Sequence, residues 1–258
     1  MESVNLQKSA YFISQIGREL IHSEVYGLAC LTFVKDPERV KELIAIGEAT
    51  PCSQKKMEFM DSWTFSDKPL YHRLVAFACA EGIFFCTLFA AIFWFRSKGK
   101  FSNFVVANEL IAKDESHHRD RMCQLAVEEY DRNPQDNLHA DAIDIVREAI
   151  EIEDGFIAFM LKDGDVDDLS ISGMQAYARV VADSLLHQLG IGPIFRATNP
   201  FTWIDTIGIQ IKTEFFAKRV GAYSRGSLPE ILNWKRRAGL TVDPTKVDPF
   251  TNPGKKPF

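Results

Sequence analysis

The chain has 258 residues, 46% of them hydrophobic and 25% charged, which is the make-up of an ordinary globular protein with one large domain or at most two small ones. Its net charge of -5 and isoelectric point near 5.7 argue against sequence-wide nucleic-acid binding. The five cysteines, at 30, 52, 79, 86 and 123, have neither CxxC pairing nor zinc-finger spacing, so they are expected as reduced, buried thiols of a cytoplasmic protein, and the start Met-Glu-Ser-Val-Asn lacks the basic and apolar blocks of a signal peptide.

In chain order, residues 2–34 read as one long helix with few breakers. Asp36-Pro37 opens a second, with Pro37 suited to a first helical turn. Pro51 breaks it, and Ser53 is expected to cap a third helix running to about Ser66. Asp67-Lys-Pro69 punctuates before a long apolar helix over 70–96. Ser97-Lys-Gly99-Lys is a turn, and Ser102 is expected to cap a helix continuing to about Arg132. After Asn133-Pro134, helical periodicity returns over 138–161 and again over 170–189. Gly190-Ile-Gly-Pro193 ends that segment, and a last helix is expected over 205–223. No hairpin signal or sustained alternation appears, so the fold class is all-α. From Ser224 onward the sequence is rich in proline and glycine and carries seven basic against three acidic residues. That pattern predicts a mobile tail over 224–258 outside a helical domain over 1–223, with docking on a partner as its functional reading.

The apolar run over residues 74–95 is long enough to cross a membrane. Glu81 interrupts it and would be costly in lipid, so the run reads instead as the central helix of a bundle, with no membrane partner.

Two copies of Glu-x-x-His carry the chemistry, Glu19-Leu-Ile-His22 and Glu115-Ser-His-His118. On a helix, positions i and i+3 share a face, so each copy aims a carboxylate and an imidazole at one point. A single copy is usually a surface pair. Two copies on long helices, with a lone Glu81 inside the apolar helix between them, fit a dimetal carboxylate bundle, whose ligands are four carboxylates and two imidazoles. A carboxylate buried at position 81 must be paired, protonated or metal-bound, and metal also accounts for both histidines. Oxygen and imidazole donors suit iron or manganese. The sequence supplies three carboxylates and both imidazoles; the fourth carboxylate is expected on a helix ahead of Glu19, a stretch this sequence leaves shortened. Tyr26 lies one turn after His22 on the same face, as a packed core tyrosine or as one that an oxygen-activating site can oxidise. Phe84, Phe85 and Phe89 follow Glu81 within two turns and can wall such a site from water. Asp114 can accept a hydrogen bond from a ligand histidine.

These stretches resemble the small, radical-generating subunit of class I ribonucleotide reductase, in its eukaryotic and viral branch. The resemblance rests on Glu19-Leu-Ile-His-Ser-Glu-Val-Tyr26, on the segment from Val75 to Phe85 around Glu81, and on the segment from Asn108 to His118. Lys35-Asp-Pro37, Thr50-Pro-Cys52, Asn199-Pro-Phe201 and Lys218-Arg-Val-Gly-Ala-Tyr223 extend it to about residue 223. It implies a ferritin-like helical bundle with Glu19, His22, Glu81, Glu115 and His118 as metal ligands, most simply of a di-iron centre, with manganese as the other candidate. It implies Tyr26 as the radical tyrosine, Phe85 and Phe89 as its apolar pocket, Asp114 as the carboxylate linking a ligand histidine to a radical-transfer route, and Tyr223 as the tyrosine that passes the radical on. The implied partners are the large, nucleotide-binding subunit and a second copy in a homodimer. The implied function is oxidoreductase chemistry, reduction of ribonucleoside diphosphates to deoxyribonucleotides. The family's first aspartate ligand, a tryptophan of its radical route and its acidic C-terminal docking peptide have no counterpart here. The alternatives are therefore a non-catalytic, split or truncated paralogue that assists an active copy, with a separate N-terminal fragment or a full-length small subunit as a further partner, and a different di-iron oxidase on the same fold.

Overall fold

The computed structural model describes residues 6–204. The expected helix over 205–223, Tyr223 and the basic tail lie outside the described residues, as do residues 1–5. Among the described residues seven α-helices follow one another: α1 Leu6–Val34, α2 Pro37–Glu48, α3 Pro51–Thr64, α4 Leu70–Ser97, α5 Ser102–Arg132, α6 Leu138–Met160 and α7 Ile171–Gln188. Among the described residues, the extended pairing is a lone bridge between Val166 and Leu169.

The helix boundaries follow local chemistry. Asp36 caps α2 by accepting a hydrogen bond from the Glu38 amide, and Pro37 fills the first turn, where its missing N–H costs nothing. Ser170 caps α7 by accepting from the Gly173 amide at 3.0 Å. Two starts differ from expectation. α3 begins at Pro51 with Thr50 in the cap position, not at Ser53, because proline is preorganised for a first helical turn rather than for a break. In α5, Ser102 is the first helical residue, and the preceding Phe101 turns the backbone with a left-handed φ of 54°.

α4 is the axis of the fold. It packs against α3, α5, α6 and α7, and 15 of its 28 residues are buried. Its membrane-like length and hydropathy are those of a helix enclosed by protein on several sides. The main core cluster gathers residues such as Val75, Ile83, Met122, Ile150, Ile157 and Leu185 from α4 to α7. Gly82 lets α5 approach closely, since a Cβ there would meet Arg119 Cδ at 2.8 Å. α6 is tied to α4 by His72 Nε2 and Asp141 Oδ2 at 2.8 Å. Glu153 of α6, fully buried, meets Lys56 Nζ of α3 at 2.6 Å, and the same ammonium donates to the Phe84 carbonyl at 2.8 Å and lies over the Phe156 ring. The loop after α7 is pinned by Asp183, whose carboxylate accepts hydrogen bonds from the amides of Ile194, Phe195 and Ala197. The cysteines are unpaired; all but Cys30 are buried, and burial pushes the thiols of Cys79, Cys86 and Cys123 up.

α1 is attached differently. It packs against α2 and α5, and of its 29 residues only His22 is buried. Leu6, Ile13, Ile16 and Leu20, spaced for one helical face, are between 62% and 79% exposed.

Candidate metal centre

Three helices meet at one point and each brings the residues that the sequence singles out. α1 presents Glu19 and His22, α4 presents Glu81, and α5 presents Glu115 and His118. One ligand atom from each of Glu19, Glu81, Glu115 and His118 lies within 4.8 Å of the others. His118 Nδ1 is 2.9 Å from Glu19 Oε1, 3.1 Å from Glu115 Oε2 and 3.8 Å from Glu81 Oε2. His22 Nδ1 is 2.9 Å from Glu115 Oε1 and 3.4 Å from Glu19 Oε2. Both imidazoles thus turn the same ring nitrogen toward the carboxylates.

Holding three carboxylates together raises a problem of charge, and the ionisation of the site records it. Burial pushes the Glu115 carboxyl up to about 7, and the Glu81 and Glu19 carboxylates add to the rise against an opposing contact with His118. Burial alone would lower His118, but the Glu115 and Glu81 carboxylates outweigh it and push the imidazole up to about 10. A cation placed among these groups would take over the role that the proton plays here. Two further atoms support that fit: His22 Nδ1 and Glu19 Oε1 are buried and make no hydrogen bond, although each lies close to an atom of the opposite kind. The donors are carboxylate oxygens and imidazole nitrogens, and the cluster fits a dimetal site for cations of that preference.

The residues around the cluster hold it in shape. Gln15 Nε2, one turn before Glu19, donates to Glu81 Oε1 at 2.8 Å. Asp114 sits between two residues of α1: its Oδ2 is 3.4 Å from His22 Nε2, and its Oδ1 is gripped by the Arg18 guanidinium. Tyr26 donates its hydroxyl to Asn108 Oδ1 at 2.8 Å, and Asn108 in turn donates to the Phe104 carbonyl. Burial, with the Glu115 and Glu19 carboxylates behind it, pushes the Tyr26 phenol up to about 12. A cavity of about 600 Å³ lies against Glu81 and Glu115 and is walled by Phe89 and Phe93.

Among the three phenylalanines expected to wall the site, Phe84 does not do so. It packs edge-on against Phe59 of α3 at 5.2 Å and beneath Lys56: at about 100° per residue it falls to one side of Glu81, toward α3, while Phe85 and Phe89 fall to the other. Phe85 is 39% exposed and touches Phe89. Glu151 is exposed and Glu153 is paired with Lys56, so neither joins the cluster. Gln15 and Arg18 also belong to the site, and their only mark in the sequence is a position one turn before Glu19 and His22.

Comparison with known proteins agrees with this arrangement. The solved Rnr4 homodimer of ribonucleotide reductase from Saccharomyces cerevisiae superposes with a TM-score of 0.65 at 30% identity, covering 75% of this chain and 60% of that one. A second solved structure, from Bacillus halodurans, shares the fold with a TM-score of 0.71 at 18% identity, covering 80% of this chain and 76% of that one. A ribonucleoside-diphosphate reductase small chain of Arabidopsis thaliana is 40% identical over 219 residues, 85% of this chain and 63% of that protein. Subunit M2 of the human enzyme is 36% identical over 212 residues, 82% of this chain and 53% of that protein. The protein thus spans between about half and two thirds of the length of these two relatives. The sequence pattern of the family "Ribonucleotide reductase, small chain" matches residues 2–200. With the fold, the cluster and this match in agreement, the chain belongs to the ribonucleotide reductase small chain family.

Proposed function

We propose that this protein is a radical-generating small subunit of ribonucleoside-diphosphate reductase, with a di-iron centre held by Glu19, His22, Glu81, Glu115 and His118 and a stable radical on Tyr26. The observation that carries the reading is the convergence of those five side chains from α1, α4 and α5 on one point, with Tyr26 one turn along the same face of α1. When bound, the iron pair supplies the oxygen-dependent, one-electron oxidising power that the tyrosine requires. The rest is the protein's work. Glu81 is oriented by Gln15, and His22 by Asp114. Tyr26 keeps its proton at neutral pH, since its hydroxyl donates to Asn108 and its acidity is suppressed by burial and by the Glu115 and Glu19 carboxylates. An amide oxygen is a poor proton acceptor, so Asn108 holds the phenol protonated, and the proton that leaves on oxidation would have to pass to another base.

In this reading the partners are a large subunit that binds the nucleotide and a second copy of this chain, in the cytoplasm, and Tyr223 hands the oxidising equivalent onward. A carboxylate from a separate N-terminal fragment or a full-length small subunit completes the ligand set if the centre needs a fourth.

The test is reconstitution. Iron(II) is added without oxygen, oxygen is then admitted, and iron content and the EPR spectrum are measured. The expected result is about two irons per protomer and a tyrosyl signal that Tyr26→Phe removes while iron uptake stays. A protein that takes up no iron by itself or with a full-length small subunit, or a radical signal unchanged by Tyr26→Phe, would overturn the proposal.

A further inference from the structure

We propose that Arg18 is a positioning residue of the metal centre, acting from the rim of α1 through Asp114 to fix the ring of His22. The proposal rests on the metal reading above. It starts from a geometric coincidence. Arg18 and His22 are one helical turn apart on α1, and both reach the single Asp114 carboxylate of α5, one on each oxygen. Arg18 Nη1 takes Oδ1, which leaves Oδ2 for His22 Nε2 at 3.4 Å.

Three physical points give that contact a function. An imidazole can present either ring nitrogen to a cation, and the partner of the other nitrogen decides which. With Asp114 at Nε2, it is Nδ1 that faces Glu19 and Glu115. A carboxylate held at one oxygen only can rotate; gripped from the other side as well, it is fixed in plane and distance. Finally, α1 buries no residue but His22. Beside the edge-on packing of Phe33 on Phe104, its register on α5 therefore leans on polar contacts such as Lys8 with Glu128, Tyr26 with Asn108, and Arg18 with Asp114. Of these three, the last is one residue from one proposed ligand and touches the carboxylate that touches another.

The bland alternative is a surface ion pair of no consequence, since the Arg18 side chain is 48% exposed and such pairs contribute little to stability. The two readings separate by experiment. The whole 258-residue chain and its Arg18→Met, Arg18→Lys, Asp114→Asn and Arg18→Met/Asp114→Asn variants are titrated with cobalt(II), following the ligand-field absorption. Imidazole nitrogen signals of histidine-labelled, metal-free protein are recorded by NMR in parallel. We expect Arg18→Met to weaken cobalt binding by about 10- to 100-fold, the range typical for outer-shell partners of metal ligands, and to change the band pattern. Arg18→Lys should recover part of the loss, and the melting midpoint of the metal-free protein should stay put. In the metal-free spectra, Arg18→Met should move the His22 ring signals and leave those of His72, which pairs with Asp141, unchanged. Because Arg18 acts through Asp114, removing it from the Asp114→Asn background should add no further loss. Unchanged affinity and bands in Arg18→Met, or full additivity in the double variant, would overturn the inference. A wild-type protein that takes up no cobalt would refute the metal reading instead. The metal-free NMR arm would still decide the clamp, with His22 signals indifferent to Arg18→Met ruling it out.

Discussion

α1 and α4 are nearly equal in length, 29 and 28 residues, and each carries proposed ligands, yet α4 buries fifteen residues and α1 buries one. α4 is fixed by apolar burial on several sides, the dominant source of folding free energy. α1 is held by polar contacts to α5 and by a few half-buried side chains such as Tyr11 and Phe33, while its aliphatic stripe of Leu6, Ile13, Ile16 and Leu20 faces outward. The site is thus a junction between a rigid frame and a lightly attached helix. Glu81, Glu115 and His118 are set in place by folding; Glu19 and His22 are set in place by their contacts with that frame. Opening of α1 should cost far less than global unfolding, and a bound cation should stabilise α1 before it stabilises anything else.

The largest expected effect breaks the frame. Lys56→Met leaves the fully buried Glu153 carboxylate unpaired and should cost about 3–5 kcal/mol, a fall of about 10 °C in the melting midpoint. Adding Glu153→Leu should recover most of that loss, because an apolar pair needs no desolvated charge. A Lys56→Met midpoint within about 1 °C of wild type, the order expected of a surface change, would show that the pair does not hold the frame.

A smaller effect comes from acidity at the junction. The Glu115 carboxyl is raised from 4.5 to about 7, so between those values the folded protein holds a proton that the unfolded one has released, and stability falls as pH rises through that window. His118 is raised from 6.5 to about 10; its contribution is complete below the lower value and is lost as pH climbs to the upper one. Both act in one direction, so the metal-free protein should melt at lower temperature as pH rises from about 5 to about 9. Glu115→Gln, which has no such proton, should show a shallower slope. Added metal should reverse the trend, since binding releases the same protons. A metal-free midpoint that climbs with pH more steeply than that of Glu115→Gln would contradict this account.

The smallest effect sharpens the contrast with a single chemical change made twice. Gly155 on α6 and Gly17 on α1 are both exposed, and a Cβ at either meets nothing. Alanine should stabilise each helix by about 0.5–1 kcal/mol. At Gly155 the gain should appear in the global melting midpoint. At Gly17 it should appear as slower amide exchange along α1 with the midpoint unmoved. Equal shifts in the midpoint would mean that α1 unfolds with the core.

Much of this was legible in the sequence because its signals are local. Prolines, glycines and capping side chains mark the helices, and the i, i+3 spacing of Glu19 with His22 and Glu115 with His118 names the faces that converge. Glu81 announces itself as the lone charge in an apolar helix. What was not legible depends on tertiary neighbours. Nothing in the sequence pairs Lys56 with Glu153 across two helices or turns Phe84 toward Phe59, and Arg18 looks like any surface arginine until α5 brings Asp114 beneath it. The start of α3 was misplaced for a different reason: Pro51 is both a breaker and a good first residue, and only the backbone decides between them.

The grip of Arg18 on Asp114 has a consequence for proton movement. A carboxylate between an imidazole and a titratable hydroxyl can pass a proton along. Between an imidazole and a guanidinium it cannot, because the guanidinium stays charged and neither gives up a proton nor accepts one. A proton leaving the His22 ring on that side therefore reaches Asp114 and stops while Arg18 is in place. The Arg18 side chain is half exposed, so were it to release Asp114, a water could take its place and open a path. On the proposed reading, any proton passage across this edge of the site would wait on one surface side chain letting go of one carboxylate.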